Sequence, residues 1–572
     1  MLAALIRKGL AEEQMREVTR EAAFDTLFRL PQLTEAQAAV RDSIAEQWRE
    51  RPTVLLHGVT GSGKTEIYIH FIAETVARGG DVLMLVPEIA LTSQLIERMG
   101  RIFGSRVTAY HSRLTDRRRT ETYLRLSTSS GGELVVGARS SLWLPLRNLQ
   151  LVIVDEEHDT GYKQEDPSPR YNARDCAVVL TRLCGCRTLL GSATPSIESY
   201  MNARSGKYGY AALTERYGDA EPPRVTVSDT LRAAKRGERR SHFNLALLER
   251  IGSTLKAGGQ VMLFQNRRGF APYVECRTCG WTARCPNCNV TLTLHKSRGS
   301  MECHYCGYTE PIPSRCPSCR SAVPEPAGFG TEKIAEEVAR LFPEARVVRL
   351  DADSATSQRA YREIIGSFSR RESDIMVGTQ MITKGFDFGG VSLVGILNAD
   401  NLLRNPDFRA SERAFQLMMQ VAGRAGRRDA GGEVVIQTSE PQNPVIRYVA
   451  AGDYGSMADR ELAERQAFGY PPYSHIITLT LRHRSPETLR RCAGHLADEL
   501  RTRFGRRLLG PVTPPVDRIR NEYIVTMMLK IEQGRSFARA RQLLREAMAT
   551  VNGPTADREL RSVTVVCDVD PR

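Results

Sequence analysis

Over residues 53–192 short apolar runs alternate with amphipathic stretches, the order expected of parallel strands joined by crossover helices. Val54-Leu55-Leu56, Val82-Leu83-Met84-Leu85-Val86, Leu134-Val135-Val136, Leu151-Val152-Ile153-Val154 and Thr188-Leu189-Leu190 read as buried strands. Ahead of them Thr34 opens an amphipathic helix, with Gln37 three residues on in the form of a capping box. Apolar alternation breaks off in a cysteine-rich segment and resumes near Phe329. The end of the chain has another order: strand 476–481, helix 486–504, strand 523–529, helix 536–551 and strand 562–566. That order predicts a small α+β domain, ferredoxin-like in outline.

The first strand leads into Gly58-Val59-Thr60-Gly61-Ser62-Gly63-Lys64-Thr65, which fits G-x-x-x-x-G-K-[ST]. Glycines let such a loop turn its backbone N–H groups onto a β-phosphate, Lys64 offsets β/γ charge, and the Thr65 hydroxyl can hold Mg²⁺. A nucleoside triphosphate is the expected ligand, and Gln37 is as well placed to read an adenine edge as to cap its helix. The run 151–154 delivers Asp155-Glu156-Glu157-His158 at its carboxyl end, where open α/β sheets keep their ligand chemistry. Asp155 is expected to hold the magnesium and Glu156 to orient and deprotonate the attacking water. Gly191-Ser192-Ala193-Thr194-Pro195 offers two hydroxyls after the next strand. Gln420-Val421-Ala422-Gly423-Arg424-Ala425-Gly426-Arg427 ends a helix. Its arginines suit a γ-phosphate reached from a second lobe, worth about three to five decades of rate. Alone, the same string also suits a basic helix terminus.

Composition adds the partners. The 572 residues, 41% hydrophobic, suffice for about three or four domains of ~150 residues. Eighty Lys and Arg against 66 Asp and Glu leave a net charge of +14, which favours a polyanion such as nucleic acid. No apolar run approaches the ~18 residues of a membrane span. Met1-Leu2-Ala3-Ala4-Leu5-Ile6-Arg7-Lys8 has the wrong order for a signal peptide, so a cytoplasmic protein is expected. Of the thirteen cysteines, eight form four C-x-x-C pairs: Cys276 and Cys279, Cys285 and Cys288, Cys303 and Cys306, Cys316 and Cys319. Eight thiolates suit two closed, structural Cys₄ zinc sites; disulfides or an iron–sulfur cluster are the alternatives, and spacing does not order the pairing.

In combination these motifs resemble superfamily 2 helicases, whose two RecA-like lobes clamp ATP. Gln37 matches the adenine-reading glutamine, Gly58 to Thr65 motif I, Pro87 to Thr92 motif Ia, and Asp155 to His158 motif II. Ser192 to Thr194 match motif III, Gly378 to Asp387 motif V, and Gln420 to Arg427 motif VI. The cysteine insertion narrows the resemblance to the bacterial replication-restart (primosomal) helicases. Tyr162-Lys163-Gln164, Arg170 to Asp175, Pro406 to Arg413, Tyr470-Pro471-Pro472-Tyr473 and Asp568-Val569-Asp570-Pro571 extend it.

The resemblance implies an α/β architecture: a winged-helix remnant at 1–29, an ATP-binding lobe at 30–225, and a second lobe at 226–270 and 326–445. A zinc insertion at 271–325 and a C-terminal domain at 446–572 complete it. It also implies nested zinc pairing, with Cys276, Cys279, Cys316 and Cys319 on one ion and Cys285, Cys288, Cys303 and Cys306 on the other. The activity implied is ATP-dependent 3′→5′ unwinding at stalled forks, with Lys64, Asp155, Glu156, Gln420, Arg424 and Arg427 catalytic. The implied partners are single-stranded and forked DNA, primosome and helicase-loading proteins and single-stranded-DNA-binding protein, met by a monomer. A non-unwinding restart scaffold is the alternative. Tyr162 and Tyr171 are expected to stack on bases, at about 1–3 kcal/mol each, or else to cap a core. Lys163, Arg170 and Arg174 are expected on phosphates. Phe386 stands where this family has histidine.

Overall fold

The computed structural model describes residues 30–87, 93–218, 221–265, 330–383, 388–403, 407–426, 431–514 and 516–571, with short stretches of 273–327. The first lobe runs α1 (Glu35–Gln47), β1 (Thr53–Gly58), α2 (Lys64–Ala77), β2 (Asp81–Leu85), α3 (Ser93–Phe103), β3 (Val107–Tyr110), α4 (Asp116–Thr128), β4 (Leu134–Gly137), β5 (Leu149–Asp155), α5 (Ala173–Cys184), β6 (Arg187–Ser192), α6 (Ile197–Arg204) and β7 (Gly209–Leu213). Its seven strands lie in the order β3-β4-β2-β5-β6-β1-β7, every pairing parallel. Because the strands are apolar on both faces, two separate cores form. Val54, Leu56, Val82, Ile153 and Leu189 pack on one face; Leu55, Leu83, Val152, Val154 and Leu190 pack on the other.

The second lobe opens with β8 (Arg224–Asp229), α7 (Leu245–Lys256) and β9 (Gln260–Phe264). After the insertion it continues with α8 (Thr331–Leu341), β10 (Val347–Leu350), α9 (Gln358–Ser369), β11 (Ile375–Gly378), β12 (Val391–Ile396), α10 (Ala410–Ala422) and β13 (Glu433–Thr438). The sheet order is β10-β11-β9-β12-β13-β8, again all parallel. Two boundaries move from their expected places. Arg224 and Val225, assigned to the first lobe, begin the edge strand of the second sheet. Helices α11 (Pro444–Ala451) and α12 (Tyr454–Phe468), assigned to the C-terminal domain, bury Val445, Ile446, Val449, Met457 and Leu462 in the second-lobe core.

The C-terminal domain runs β14 (Ser474–His483), α13 (Pro486–Phe504), β15 (Leu508–Val512), β16 (Glu522–Glu532), α14 (Phe537–Asn552) and β17 (Thr564–Val569). The strand order β15-β16-β14-β17, antiparallel throughout, is the ferredoxin-like pattern expected. Strand β15 is absent from the sequence reading because Gly510-Pro511 interrupts its apolar run. At the edge of a sheet proline leaves no ladder bond unmade, so the strand tolerates it.

Candidate functional site

Strand β1 ends at Gly58, and the loop that follows delivers Lys64 to the start of α2. Gly63 caps that helix at φ 78°, a left-handed conformation that any side chain resists, and a Cβ there would collide with the Gln37 amide. Of the two readings of Gln37, the helix cap is the one its contacts make. Thr34 and Gln37 form the capping box, and Gln37 Nε2 also donates to Ser62 O at 3.0 Å, so the helix cap is welded to the loop. Lys64 Nζ donates to Gly58 O at 2.8 Å, folded back across the loop. Burial and the Lys64 charge hold His57, one residue before the loop, down at about 4.

Asp155 ends β5, in register with Gly191 of β6. Tyr68, one helical turn after Lys64 on α2, donates its hydroxyl to Asp155 Oδ1 at 3.0 Å. Helical i,i+4 spacing from Lys64 was the signal for this contact, and sequence reasoning passed over it. Burial and the neighbouring Glu156 push the Asp155 carboxyl up to about 6, the state expected where a cation's charge belongs. Glu156 sits at φ 48°, strained for a residue with a side chain, which turns its carboxylate out of the strand direction. Three buried oxygens around this cleft, Ser62 Oγ, Glu156 Oε2 and Thr194 Oγ1, have no hydrogen-bond partner. Unmet polar atoms between the phosphate-loop sequence and the acid turn fit a bound magnesium triphosphate.

Glu157 does a different job. Its carboxylate, 1% exposed, accepts from the Ser196 backbone at 2.6 Å and the Ser196 hydroxyl at 3.0 Å. It also accepts from the Ser199 hydroxyl at 2.8 Å and from Arg174 at 3.2 Å, which ties the acid turn to the start of α6.

Helix α10 comes from the second lobe and lies across this cleft. His158 is 2.8 Å from the Gln420 amide through Nε2 and 2.7 Å from Ser192 Oγ through Nδ1. The neutral Nδ1–H tautomer satisfies both, accepting from Gln420 and donating to Ser192. One turn beyond Gln420, a Cβ on Gly423 would stand 2.5 Å from Thr60 Cγ2, so only glycine lets α10 approach the phosphate loop this closely. Arg424, 8% exposed, follows at once. Nearer the start of α10, Glu412 accepts from the Ile197 backbone at 3.0 Å, and Gln416 donates to Thr194 O at 3.3 Å. Glu412, Gln416 and Gln420 recur every four residues, so one stripe of α10 faces the first lobe.

Below that stripe a charged cluster spans the lobes. Arg465, 2% exposed, reaches Glu412 at 2.5 Å, Glu461 at 3.3 Å and Glu198 of the first lobe at 3.6 Å. Although burial works against it, Arg409, Arg465 and Arg174 hold the Glu198 carboxyl down at about 2. Burial pushes Glu461 the other way, up to about 7, against the pull of Arg465. An acid whose folded value exceeds its unfolded one keeps its proton better when folded, so its contribution falls as pH rises from 4.5 through about 7. Glu461→Gln is therefore expected to flatten the decline of melting temperature across that window. A decline identical to the parent's would show that other groups cause it.

Several expected positions change. Tyr162 does not present its ring for stacking: it is 1% exposed, and its hydroxyl lies 2.5 Å from Asp155 O and 3.0 Å from Leu85 O. Lys163, 6% exposed, pairs with Asp568 at 2.7 Å, and Arg174 is spent on Glu157 and Asp175, so neither is turned to phosphates. Tyr171 is half-buried edge-on against Trp143, 5.2 Å between ring centres, and Trp143 is the exposed ring of the two. Arg427, Phe386, residues 88–92 and 1–29, and Cys276, Cys279, Cys285, Cys288, Cys303 and Cys306 lie outside the described residues. Cys316 is buried and Cys319 exposed.

The chain matches four families along its length. Residues 34–203 match the DEAD/DEAH box helicases and 330–429 the helicase conserved C-terminal domain. Residues 285–311 match the PriA DNA helicase Cys-rich region, and 466–572 the primosomal protein N C-terminal domain. Replication restart protein PriA of Bacillus subtilis (strain 168) is 39% identical over 537 residues, covering 92% of this chain and 66% of the relative. The Treponema pallidum (strain Nichols) protein of that name is 40% identical over 518 residues, 90% of this chain and 76% of the relative. The structure of RecG bound to a three-way DNA junction aligns at TM-score 0.44 and 16% identity, over 75% of this chain and 46% of that one. With identity sustained across both lobes, the cysteine segment and the ferredoxin-like domain, this chain belongs to the PriA family of replication restart proteins.

Proposed function

We propose that this chain is an ATP-dependent DNA helicase that moves 3′→5′ and remodels stalled replication forks so that the replicative helicase can be reloaded. The observation that carries this reading is the meeting of three elements from two lobes: phosphate loop, acid turn and the Gln420 end of α10. Magnesium, when bound, would supply charge that offsets the triphosphate's. Thr65 and Asp155 would hold it, and Lys64, now on Gly58 O, would turn to the phosphates. Glu156 orients the attacking water and takes its proton. Arg424 and Arg427 steady the charge that develops on the transferring phosphoryl. The His158 bridge from Ser192 to Gln420 makes the arrangement of α10 depend on what the first lobe holds. Opening and closing of the lobes then alternates the grip on a strand.

The net charge favours a polyanion, and single-stranded and forked DNA are the substrates that the family implies. Primosome and helicase-loading proteins and single-stranded-DNA-binding protein are the partners the family implies. The test is ATP turnover with single-stranded DNA against RNA, followed by unwinding of a forked duplex. Turnover raised by DNA together with unwinding is the expected result. Turnover without unwinding would leave a fork-binding scaffold, and a preference for RNA would refute the substrate.

The eight paired cysteines are proposed to hold two structural zinc ions in the nested arrangement. The described ladders support it. Tyr273–Glu275 pairs with Glu325–Ala327, closing the two ends of the segment that contains the outer pairs, and Thr293–His295 pairs with Ser300–Glu302 between the inner ones. Metal analysis is expected to find two zinc ions per chain, and one in Cys303→Ser or Cys276→Ser. Neither variant losing zinc would overturn the assignment.

A further inference from the structure

The segment 568–571 touches both lobes. Strand β17 ends at Val569, and Asp570 turns the chain at φ 46°. The Asp570 carboxylate fixes that turn on β14, accepting from the Ile476 backbone at 3.0 Å and lying 2.9 Å from His475 Nδ1. The residues on either side are thereby aimed at different lobes. Lys163 of the first lobe donates to Val569 O at 2.6 Å and pairs with Asp568 at 2.7 Å. Arg409, the N-cap residue of α10 in the second lobe, donates to Pro571 O at 3.1 Å and reaches Glu198 of the first lobe at 3.4 Å.

Each anchor leads to the cleft. Lys163 follows Tyr162, whose hydroxyl lies against the carbonyl of Asp155, and Arg139 donates to Lys163 O at 2.9 Å, so the backbone that carries this lysine is tied to the acid turn. Arg409 starts the helix that ends at Gln420 and Gly423. Burying a lysine and an aspartate at 7% and 16% side-chain exposure costs desolvation, which a loose surface contact would not repay.

We propose that segment 568–571 ties the two lobes together, with Lys163, Asp568 and Arg409 as positioning residues that set how Glu156 of one lobe faces Arg424 of the other. The C-terminal domain, through this tie, governs the hydrolytic step rather than the docking of ATP on the first lobe. The inference rests on the ATPase reading above.

The test is ATP turnover, stimulated by single-stranded DNA, in full-length Lys163→Met, Asp568→Asn and the double variant, each checked for an unchanged melting transition. Each single change is expected to lower kcat about 10–100-fold, the range for residues that support a catalytic group from behind, with the KM for ATP little altered. The double variant should fall no further than the worse single one, since one contact is lost in all three. A folded Asp568→Asn with parental kcat, or effects that multiply in the double variant, would overturn the tie. Asp568→Asn preserves shape and leaves Val569 O to Lys163, so it keeps the test decisive where Lys163→Met does not fold. If the parent chain itself shows no ATP turnover, the ATPase reading fails; an active parent with unaffected variants sinks the tie alone.

Discussion

Arg424→Ala is expected to lower DNA-stimulated ATP turnover by about 10³-fold or more with the KM for ATP nearly unchanged. The arginine belongs to the second lobe, at the end of α10, where Gly423 lies against Thr60 of the phosphate loop. An arginine brought up from the far side of a cleft acts on charge that develops during transfer, so its loss appears in kcat rather than in binding. Arg424→Lys is expected to recover only part of the rate, because an ammonium lacks the planar fork. The measurement is steady-state hydrolysis with saturating single-stranded DNA, and a kcat within threefold or so of the parent's, on the scale of ordinary context effects, would remove Arg424 from the mechanism.

Lys64→Ala comes next in size: DNA-stimulated turnover should drop by about 10²–10³-fold, the loss seen when a single charge-stabilising donor is taken from a catalytic site. The chain should stay folded. Lys64 Nζ makes one hydrogen bond, to Gly58 O, so its removal costs about 1 kcal/mol of stability. Unlike Arg424→Ala, this variant should also bind ATP more weakly, since the ammonium meets the phosphates before any transfer begins. Equal ATP affinity in the two variants would show that the loop does not contact the triphosphate as proposed.

The residues of the candidate site are legible in the sequence, because a phosphate loop and a strand-end acid pair are local signals. A glycine-lysine turn needs its residues in one unbroken stretch, and so does a carboxylate pair at the end of a buried strand. Glu412, Gln416 and Gln420 stand every four positions along α10, but nothing in the sequence says which surface they meet. Which surface a helix face meets depends on packing between segments more than two hundred residues apart, as Ile197 and Glu412 are.

Periodicity and motif spacing therefore determined five of the seven strands of the first parallel sheet, the phosphate loop, the acids and the paired cysteines. Tertiary packing alone decided which side of a loop a residue shows. Tyr162 and Tyr171 sit in the same segment, yet one hydroxyl closes on Asp155 O inside the core and the other ring lies against exposed Trp143. Lys163 looked like a phosphate ligand and is instead the partner of Asp568, four hundred residues downstream. A lysine's sequence neighbourhood sets its charge and reach, whereas the partner that charge finds is fixed by the folded surfaces that exclude water from it.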